Sequence, residues 1–360
     1  MLNRYVVATL FVLLTLAAGS AWASELLTLS PRNYEECAPT GKEAGAFFGD
    51  YVLRNDRIAM AVADPTLLMG RSASRWAIRS VAGAVIDLTA REAGNDGLTA
   101  YYPAVFRFKP DAPVSQAGLP DESLTWRKPG REPVRGRTVT LKLPAYEMGS
   151  GKMLRELAKL PKHLQGAPKP FIDVHYTLAD GRRYVLVEVV YTNPTKESVE
   201  LDLFSALRAE GTFESGTALD GRLFYVYDKW WGQAYGLLAE DHRLTVRSGR
   251  NGLHRLQWMR DGKRTVKLPP GESFRIKRRL FFGCDLFEVK AIAADILGQK
   301  LNPLKLHLTA PDGPVRDADV VVRTGGEVFG AGRPDENGTL QIMLPPGKAE
   351  LEVQPYGRPA

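Results

Sequence analysis

The stretch IDVHYTLADGRRYVLVEVVY, residues 172–191, decides the fold class. Apolar and polar residues alternate from Ile172 to Leu178, which places the apolar set on one face of a β-strand. Asp180-Gly181 is a turn signal, and the apolar run Tyr184–Tyr191 after it predicts a second strand that is buried on both faces. Because so short a turn joins antiparallel strands, this stretch predicts an antiparallel sheet.

The same pattern extends outward over residues 44–283. Tyr51–Arg54 and Arg57–Val62 flank Asn55-Asp56, a hairpin signal, and Thr138–Leu143 alternates cleanly. Short strands broken by Gly, Pro and Asp favour a sandwich over βαβ units. We therefore expect an all-β protein, with a large antiparallel supersandwich over residues 24–298.

Two segments have a helical pattern. Lys152–Gln165 carries apolar residues near one face and basic residues around them. Asp285–Leu297 has the stronger signals, because Asp285 can cap the helix, Glu288 stands three residues later and Gly298 can end it. This helix is expected to close the large domain.

A smaller unit is expected over residues 300–356. Alternating runs beginning at Leu304, Ala318, Leu340 and Ala349 are separated by turn residues rich in Gly, Pro, Asp and Asn. Four or five strands in so short a chain predict a small Greek-key β-sandwich.

Residues 1–23 have the features of a cleavable secretory signal peptide. A basic start at Met1–Arg4 precedes the apolar run Tyr5–Ala18, and Ala21-Trp22-Ala23 offers small residues at the positions that signal peptidase reads. We expect cleavage before Ser24 and a secreted or periplasmic protein. No later apolar stretch is long enough to cross a bilayer, so no transmembrane segment is expected after the signal is removed.

The charge pattern limits the partners. The formal net charge is +7, with both signs interspersed along the chain. This is typical of a solvated, mildly basic surface, and affinity for anionic glycans or envelope phosphates is the second interpretation. Without a basic arm, an exported chain is not expected to bind nucleic acid.

Two cysteines, Cys37 and Cys284, lie near opposite ends of the large domain. In an oxidising compartment a lone pair of cysteines is usually either bonded or buried. We predict a disulfide between them, and two isolated buried thiols are the alternative.

The turns of the small unit resemble those of the carboxypeptidase regulatory-like domain. The resemblance rests on Asp312-Gly313-Pro314-Val315, Ala318-Asp319-Val320, Asp335–Leu340 and Leu344–Gly347. It implies a transthyretin-like sandwich that serves as a non-catalytic accessory module, and it brings no functional residues.

The large domain resembles the region that precedes the catalytic domain in some secreted metallohydrolases of the polymerase-and-histidinol-phosphatase superfamily. The matching stretches are Gly49–Ile58, Val81–Leu88 and Thr192-Asn193-Pro194. The resemblance implies a galactose-mutarotase-like supersandwich, followed by a regulatory-like domain and without the catalytic domain of that superfamily.

Candidate catalytic groups are few. The five histidines form no closely spaced pair, so we expect neither a metal site nor any cofactor. Carbohydrate chemistry requires an acid and a base, for which the candidates are Glu188, Glu210 and Glu214. Glu188 stands within an apolar strand, where burial would raise its pKa. The alternative is a carboxylate that pairs with Arg182 or Arg183 or faces solvent.

The densest aromatic patch is residues 225–231, YVYDKWW. Sugar rings stack on exposed aromatic faces, so Tyr227, Asp228, Trp230 and Trp231 are the candidate ligand-binding residues. The alternative is that the two tryptophans belong to the core.

We therefore expect a non-catalytic, envelope-associated binding protein, with a glycan or another envelope component as its partner. The alternatives are a carbohydrate-active enzyme with a mutarotase-like fold, or an accessory relative of the secreted metallohydrolases. Clustered carboxylates on an open concave face would favour an enzyme, and exposed aromatic residues would favour binding.

Overall fold

The structure is a computed structural model that describes residues 24–65, 81–91, 93–104, 106–108, 114–118, 129–130, 132–147, 171–249 and 252–356. The signal peptide predicted for residues 1–23 and the helix expected over residues 152–165 lie outside the described residues.

The large domain consists of strands that pair almost entirely with antiparallel neighbours. In chain order they are β1 (Ser24–Thr28), β2 (Tyr51–Arg54), β3 (Ile58–Val62), β4 (Val85–Ala90), β5 (Leu98–Tyr102), β6 (Phe106–Phe108), β7 (Val114–Gly118), β8 (Val134–Gly136), β9 (Thr138–Glu147), β10 (Phe171–Ala179), β11 (Tyr184–Thr192), β12 (Val199–Asp202), β13 (Phe204–Ala209), β14 (Glu214–Ala218), β15 (Leu223–Asp228), β16 (Gln233–Leu238), β17 (Arg243–Ser248), β18 (Leu253–Met259), β19 (Thr265–Leu268) and β20 (Ser273–Gly283).

Eighteen of these strands form two large sheets, and β12 and β19 form a separate pair. The first has the order β17-β18-β13-β5-β4-β3-β2-β1-β8, and the second has β14-β15-β16-β20-β11-β10-β9-β6, with β7 also pairing with β9. The expected all-β antiparallel supersandwich is thereby confirmed.

Local sequence explains the hairpins. Asn55 follows β2, and its side-chain oxygen accepts hydrogen bonds from the backbone nitrogens of Arg57 and Ile58 at 2.8 and 2.9 Å. An asparagine that bonds its own backbone in this way stabilises a tight turn. β10 has the expected alternating burial, and β11 pairs with it in antiparallel register.

The main core lies between the two sheets. Buried side chains of the first sheet, such as Leu53 and Met60, belong to one cluster with Val174, Val187 and Ile276 of the second. Face-to-face packing of two apolar sheet faces removes both from water, which is the main stabilising contribution in a sandwich.

Two helices accompany the sheets in the described part of the chain, α1 (Tyr34–Cys37) and α2 (Leu286–Ile296). The cap expected at Asp285 is present, since its carboxylate accepts from the backbone nitrogen of Glu288 at 2.8 Å. Glu288 in turn accepts from the backbone nitrogen of Cys284 at 2.6 Å, so Asp285 and Glu288 each bind one backbone donor at the start of α2.

The small unit contains seven strands, which are β21 (Asn302–His307), β22 (Thr309–Ala310), β23 (Gly313–Pro314), β24 (Ala318–Thr324), β25 (Glu327–Gly332), β26 (Thr339–Leu344) and β27 (Ala349–Pro355). They form the three-stranded sheet β25-β24-β27 and the pairs β21-β26 and β22-β23. The core between them also contains Phe287 of α2, together with Val320 and Ile342.

The predicted disulfide is wrong for this structure, because Cys37 and Cys284 are both free thiols. Cys37 ends α1 and is buried with Leu27 and Ile86 in a cluster separate from the main core. Cys284 is exposed and follows β20 of the second sheet. Proximity to the ends of one domain in sequence did not bring them together, since the two cysteines are attached to different sheets.

Within the described residues, no helix combines the length and apolar character needed to cross a membrane.

Candidate functional site: the tryptophan loop

The connection between β15 and β16, Asp228–Gly232, carries two exposed tryptophans, and we call it the tryptophan loop. Trp230 is 59% exposed and Trp231 is 54% exposed. The alternative that these residues form part of the core is therefore wrong. Large aromatic side chains exposed side by side are unusual on a soluble protein unless they contact a partner.

Asp228 fixes the shape of this loop. It is buried, and its Oδ1 accepts from the backbone nitrogens of Trp230 and Trp231 at 2.8 and 3.2 Å. Its Oδ2 accepts from the hydroxyl of Thr212 at 2.7 Å. Gly232 ends the loop with φ 61°, a conformation that favours glycine. The two indoles thus stand on a turn whose backbone is fixed by the buried Asp228.

A loop from the other sheet supports the same turn. Asn95, between β4 and β5, donates from Nδ2 to the carbonyl oxygen of Trp231 at 2.7 Å. Its Oδ1 accepts from Nε2 of Gln233. A Cβ on Gly97 would lie 2.0 Å from Oε1 of Gln233, so a larger residue here would force the Gln233 side chain to move. The tryptophan loop is therefore held by both sheets.

Lys42 and Glu210 lie beside Trp231. Nζ of Lys42 is 4.9 Å from the centre of a Trp231 ring and forms an ion pair with Glu210. Oε2 of Glu210 has no hydrogen-bond partner among the described residues. This side of the loop thus offers an aromatic face beside the Lys42–Glu210 ion pair, whose unpartnered oxygen Oε2 is itself buried.

Residues of the small unit lie beside Trp230. Its ring is 5.1 Å from that of Tyr356, and the Arg333 guanidinium lies 5.1 Å from both ring centres. Asp319 binds Nζ of Lys229 at 2.8 Å and accepts from the hydroxyl of Tyr356. The site is therefore composed of residues from the large domain and from the small unit.

Glu214 and Tyr227 form a pair on the adjoining strands. The Tyr227 hydroxyl donates to Oε2 of Glu214 at 2.7 Å. Burial and the neighbouring Glu214 carboxylate raise the pKa of Tyr227, so the phenol keeps its proton and remains a donor. The structure thus brings six of the predicted residues to one end of the sandwich: Glu210, Glu214, Tyr227, Asp228, Trp230 and Trp231.

Glu188 lies elsewhere. It pairs with Lys277 of β20. Ala234, which follows the tryptophan loop, pairs with Gly283 of the same strand. Lys277 and Gly283 are six residues apart, which corresponds to about 20 Å along the sheet. Burial acts to raise the pKa of Glu188, but a hydrogen bond from His175 and the nearby charges outweigh it, so the pKa is lowered. The expectation of a raised pKa was wrong because the neighbouring strands place His175, Arg275 and Lys277 around this carboxylate.

Among the described residues, no group of three or more His, Cys, Asp and Glu side chains is arranged to hold a metal ion.

The sequence interpretation missed Lys42, Asn95, Arg333 and Tyr356. Each lies far from residues 227–231 in the chain, and none belongs to a recognisable motif. The only local signal was the turn sequence Asn95-Asp96-Gly97, which predicts a turn but not its contact with Trp231.

No protein-family model matches the sequence, and no curated protein does either. Among solved structures, a TPR-domain-containing protein from Parabacteroides distasonis is 14% identical with a TM-score of 0.40, over 74% of this chain and 56% of its own. A putative aldose 1-epimerase from Klebsiella pneumoniae is 10% identical with a TM-score of 0.38, over 72% of this chain and 86% of its own.

A galactose mutarotase-like protein from Lactobacillus casei is 11% identical with a TM-score of 0.32, over 65% of this chain and 100% of its own. Mutarotase-like proteins are thus among the structures that resemble this chain, as the sequence led us to expect. The likeness concerns the fold alone, and no functional statement follows from it.

Proposed function

We propose that this chain is an exported, non-catalytic glycan-binding protein and that Trp230 and Trp231 are its sugar-binding platform. The observation that carries the proposal is the exposure of both indoles on a loop whose backbone is fixed by the buried Asp228. Aromatic faces pack against the apolar faces of sugar rings, and a preorganised turn lowers the entropy lost on binding.

The charges around the tryptophan loop favour a neutral glycan. Lys42 pairs with Glu210, Lys229 lies 2.8 Å from Asp319, and Arg333 lies 3.7 Å from Asp317 and 3.9 Å from Asp319, so three cations face three carboxylates. Because these cations already have acidic partners, the site offers donors and acceptors for hydroxyl groups rather than a net positive charge. A strongly anionic ligand would have to displace a carboxylate.

The test is affinity electrophoresis against a panel of neutral polysaccharides, with uronic-acid polymers for comparison, followed by calorimetry on the best ligand. We expect Trp231→Ala and Trp230→Ala each to weaken binding by about tenfold or more, because each removes one stacking surface. Phe47→Ala is the matched control, since Phe47 is also an exposed aromatic residue, at 44%, but lies outside the tryptophan loop.

Two results would contradict the proposal. One is an absence of binding to every polysaccharide in the panel. The other is a bound glycan whose affinity is the same for the wild type and both tryptophan variants, which would place the binding site elsewhere.

The second candidate function is a carbohydrate-active enzyme. It is favoured by the position of Glu210 and Glu214 at the same end of the sandwich as the two tryptophans. Incubation of the bound glycan with the protein would show new reducing ends or an altered sugar if this is right. Glu210→Gln and Glu214→Gln should then abolish turnover while binding persists.

The proposal also includes export of the protein and an accessory role for its small unit. The signal sequence supports a secreted or periplasmic location, which cell fractionation and N-terminal sequencing would test. The turns of residues 312–347 support a carboxypeptidase regulatory-like accessory module. The third candidate is an accessory role beside a separate metallohydrolase, and co-purification from the native source is its test.

A further inference from the structure

Arg278 is the most unusual polar residue in the core. It lies on β20 between Ile276 and Leu280, whose side chains belong to the core between the two sheets, and it is 0% exposed. A guanidinium group keeps its proton inside proteins, so a full positive charge lies within the sandwich. An unpaired charge in such surroundings is strongly unfavourable unless it is compensated.

Part of the compensation is visible. Nη1 of Arg278 donates to the carbonyl oxygen of Pro103 at 2.6 Å and to the hydroxyl of Tyr101 at 3.4 Å. The guanidinium carbon lies 4.9 Å from the centre of a Trp258 ring, a favourable cation–π distance. These contacts supply dipoles and an aromatic face, but no carboxylate.

The other two nitrogens, Nε and Nη2, are buried and have no hydrogen-bond partner among the described residues. In a guanidinium group the N–H of Nε and one N–H of Nη2 lie along the same edge and point in nearly the same direction. This is the edge with which arginine binds carboxylates and phosphates through two parallel hydrogen bonds. Two free N–H donors that point in the same direction from a buried guanidinium are the features of an anion-binding site.

We infer that Nε and Nη2 of Arg278 together bind one small monovalent anion, of the halide class, inside the sandwich. A halide ion neutralises the guanidinium charge and accepts from both donors while occupying little space. Polyatomic oxyanions fit less well, because each of their remaining oxygens would need a hydrogen-bond donor of its own inside the sandwich.

The test measures thermal unfolding of the full chain at constant ionic strength while chloride replaces gluconate, an anion too large and too polar for the core. Since the anion binds the folded state, we expect the midpoint of the wild type to rise by about 2 °C per tenfold increase in chloride. Arg278→Met should remove this dependence. It should also fold, since replacing a buried charge with an apolar side chain of similar length is often neutral or stabilising.

Arg275→Met is the matched control. Arg275 lies three residues earlier on the same strand, is 55% exposed and pairs with Glu188, so this variant should keep the chloride dependence of the wild type. A wild-type midpoint that does not respond to chloride would overturn the inference, and an internal water on the same two donors would give that result. Equal responses of the wild type and Arg278→Met would also overturn it.

A direct measurement does not depend on either variant. Crystals of the wild type soaked in bromide should show an anomalous peak within hydrogen-bond distance of Nε and Nη2 of Arg278. Bromide peaks confined to the protein surface would contradict the inference.

Discussion

Two buried aspartates, Asp87 and Asp96, hold the backbone near Lys42 in place. The Asp87 carboxylate accepts from the backbone nitrogens of Gly45 and Ala46 at 2.7 and 2.9 Å, and Asp96 accepts from that of Leu88 at 2.8 Å. Burial raises the pKa of Asp87 from its usual 3.8 to about 7. Burial, together with the charge of Asp87, raises the pKa of Asp96 as well.

This pair predicts a pH dependence of stability. The folded chain binds the proton of Asp87 more tightly than the unfolded chain, so its contribution to stability is complete below about pH 4 and is lost as the pH rises to about 7. Urea unfolding of the wild type between these limits should show the decrease, and Asp87→Asn should reduce it. Asp220→Asn, at a 77% exposed side chain, is the control and should leave the slope unchanged. Identical slopes for the wild type and both variants would contradict the prediction.

Helix α2 shows how one element joins two cores. Its residues Val289 and Ile292 pack with Phe281 of the large domain, whereas Phe287 packs in the small unit. A Cβ on Gly330 would lie 2.1 Å from the ring of Phe287, so glycine at this position allows the close approach. The helix is thus shared between the two units rather than belonging to the large domain alone.

Lys290 on α2 predicts a second pH effect. Nζ donates to the carbonyl oxygen of Val328 at 2.9 Å and lies 5.5 and 5.3 Å from the rings of Tyr225 and Phe329. Burial lowers its pKa from 10.5 to about 8. Because the unfolded chain binds this proton more tightly, stability should gain up to about 1 kcal/mol per pH unit between about pH 8 and 10.5.

Denaturant unfolding of Lys290→Met over the same pH range should lack this gain. The control is Lys305→Met, which changes an exposed lysine on β21. A gain that survives in Lys290→Met would show that other groups, such as the tyrosines, cause it.

For the whole molecule, the start of β1 predicts an effect of signal-peptide cleavage. The backbone nitrogen of the buried Ser24 lies 2.5 Å from Oδ1 of Asp180. In the exported form that we propose, cleavage turns this nitrogen into an α-ammonium group, and the hydrogen bond becomes a partly buried ion pair. A protein that begins at Ser24 should then be about 1 kcal/mol more stable than one that begins at Ala23.

Thermal unfolding of the two proteins, with and without Asp180→Asn, measures this effect. The difference should disappear in the Asp180→Asn background, because the ammonium group then has no carboxylate to pair with. A difference that persists there, or no difference in either background, would contradict the prediction.

The boundary between the two units is a prediction at the same scale. Because Phe287 belongs to the core of the small unit, a fragment of residues 285–356 should show more β-type circular dichroism and greater resistance to proteolysis than a fragment of residues 300–356. Equally folded fragments would show that residues 300–356 are sufficient, as the sequence pattern alone suggested.

Features with a short sequence range could be predicted from the sequence. The alternation of residues 172–178 predicted β10, Asn55 predicted its hairpin and Asp285 predicted the start of α2. Trp230 and Trp231 could be named as candidates because they are adjacent in the chain. The exposure of their side chains could not be predicted, because the alternation of apolar and polar residues does not show which loops are covered in the folded protein.

Features that depend on distant segments were decided by the tertiary structure. Lys42, Asn95 and Arg333 reach the tryptophan loop only because the start of β5, the start of β16 and the small unit lie near one another. Contacts between distant segments also surround Glu188 with cations and place the charge of Arg278 in the core. They likewise leave Cys37 and Cys284 as separate free thiols. Local backbone preferences act over a few residues, so they can be predicted from the sequence. Charge pairing and burial depend on the order of strands in the sheets, which determines which distant side chains meet.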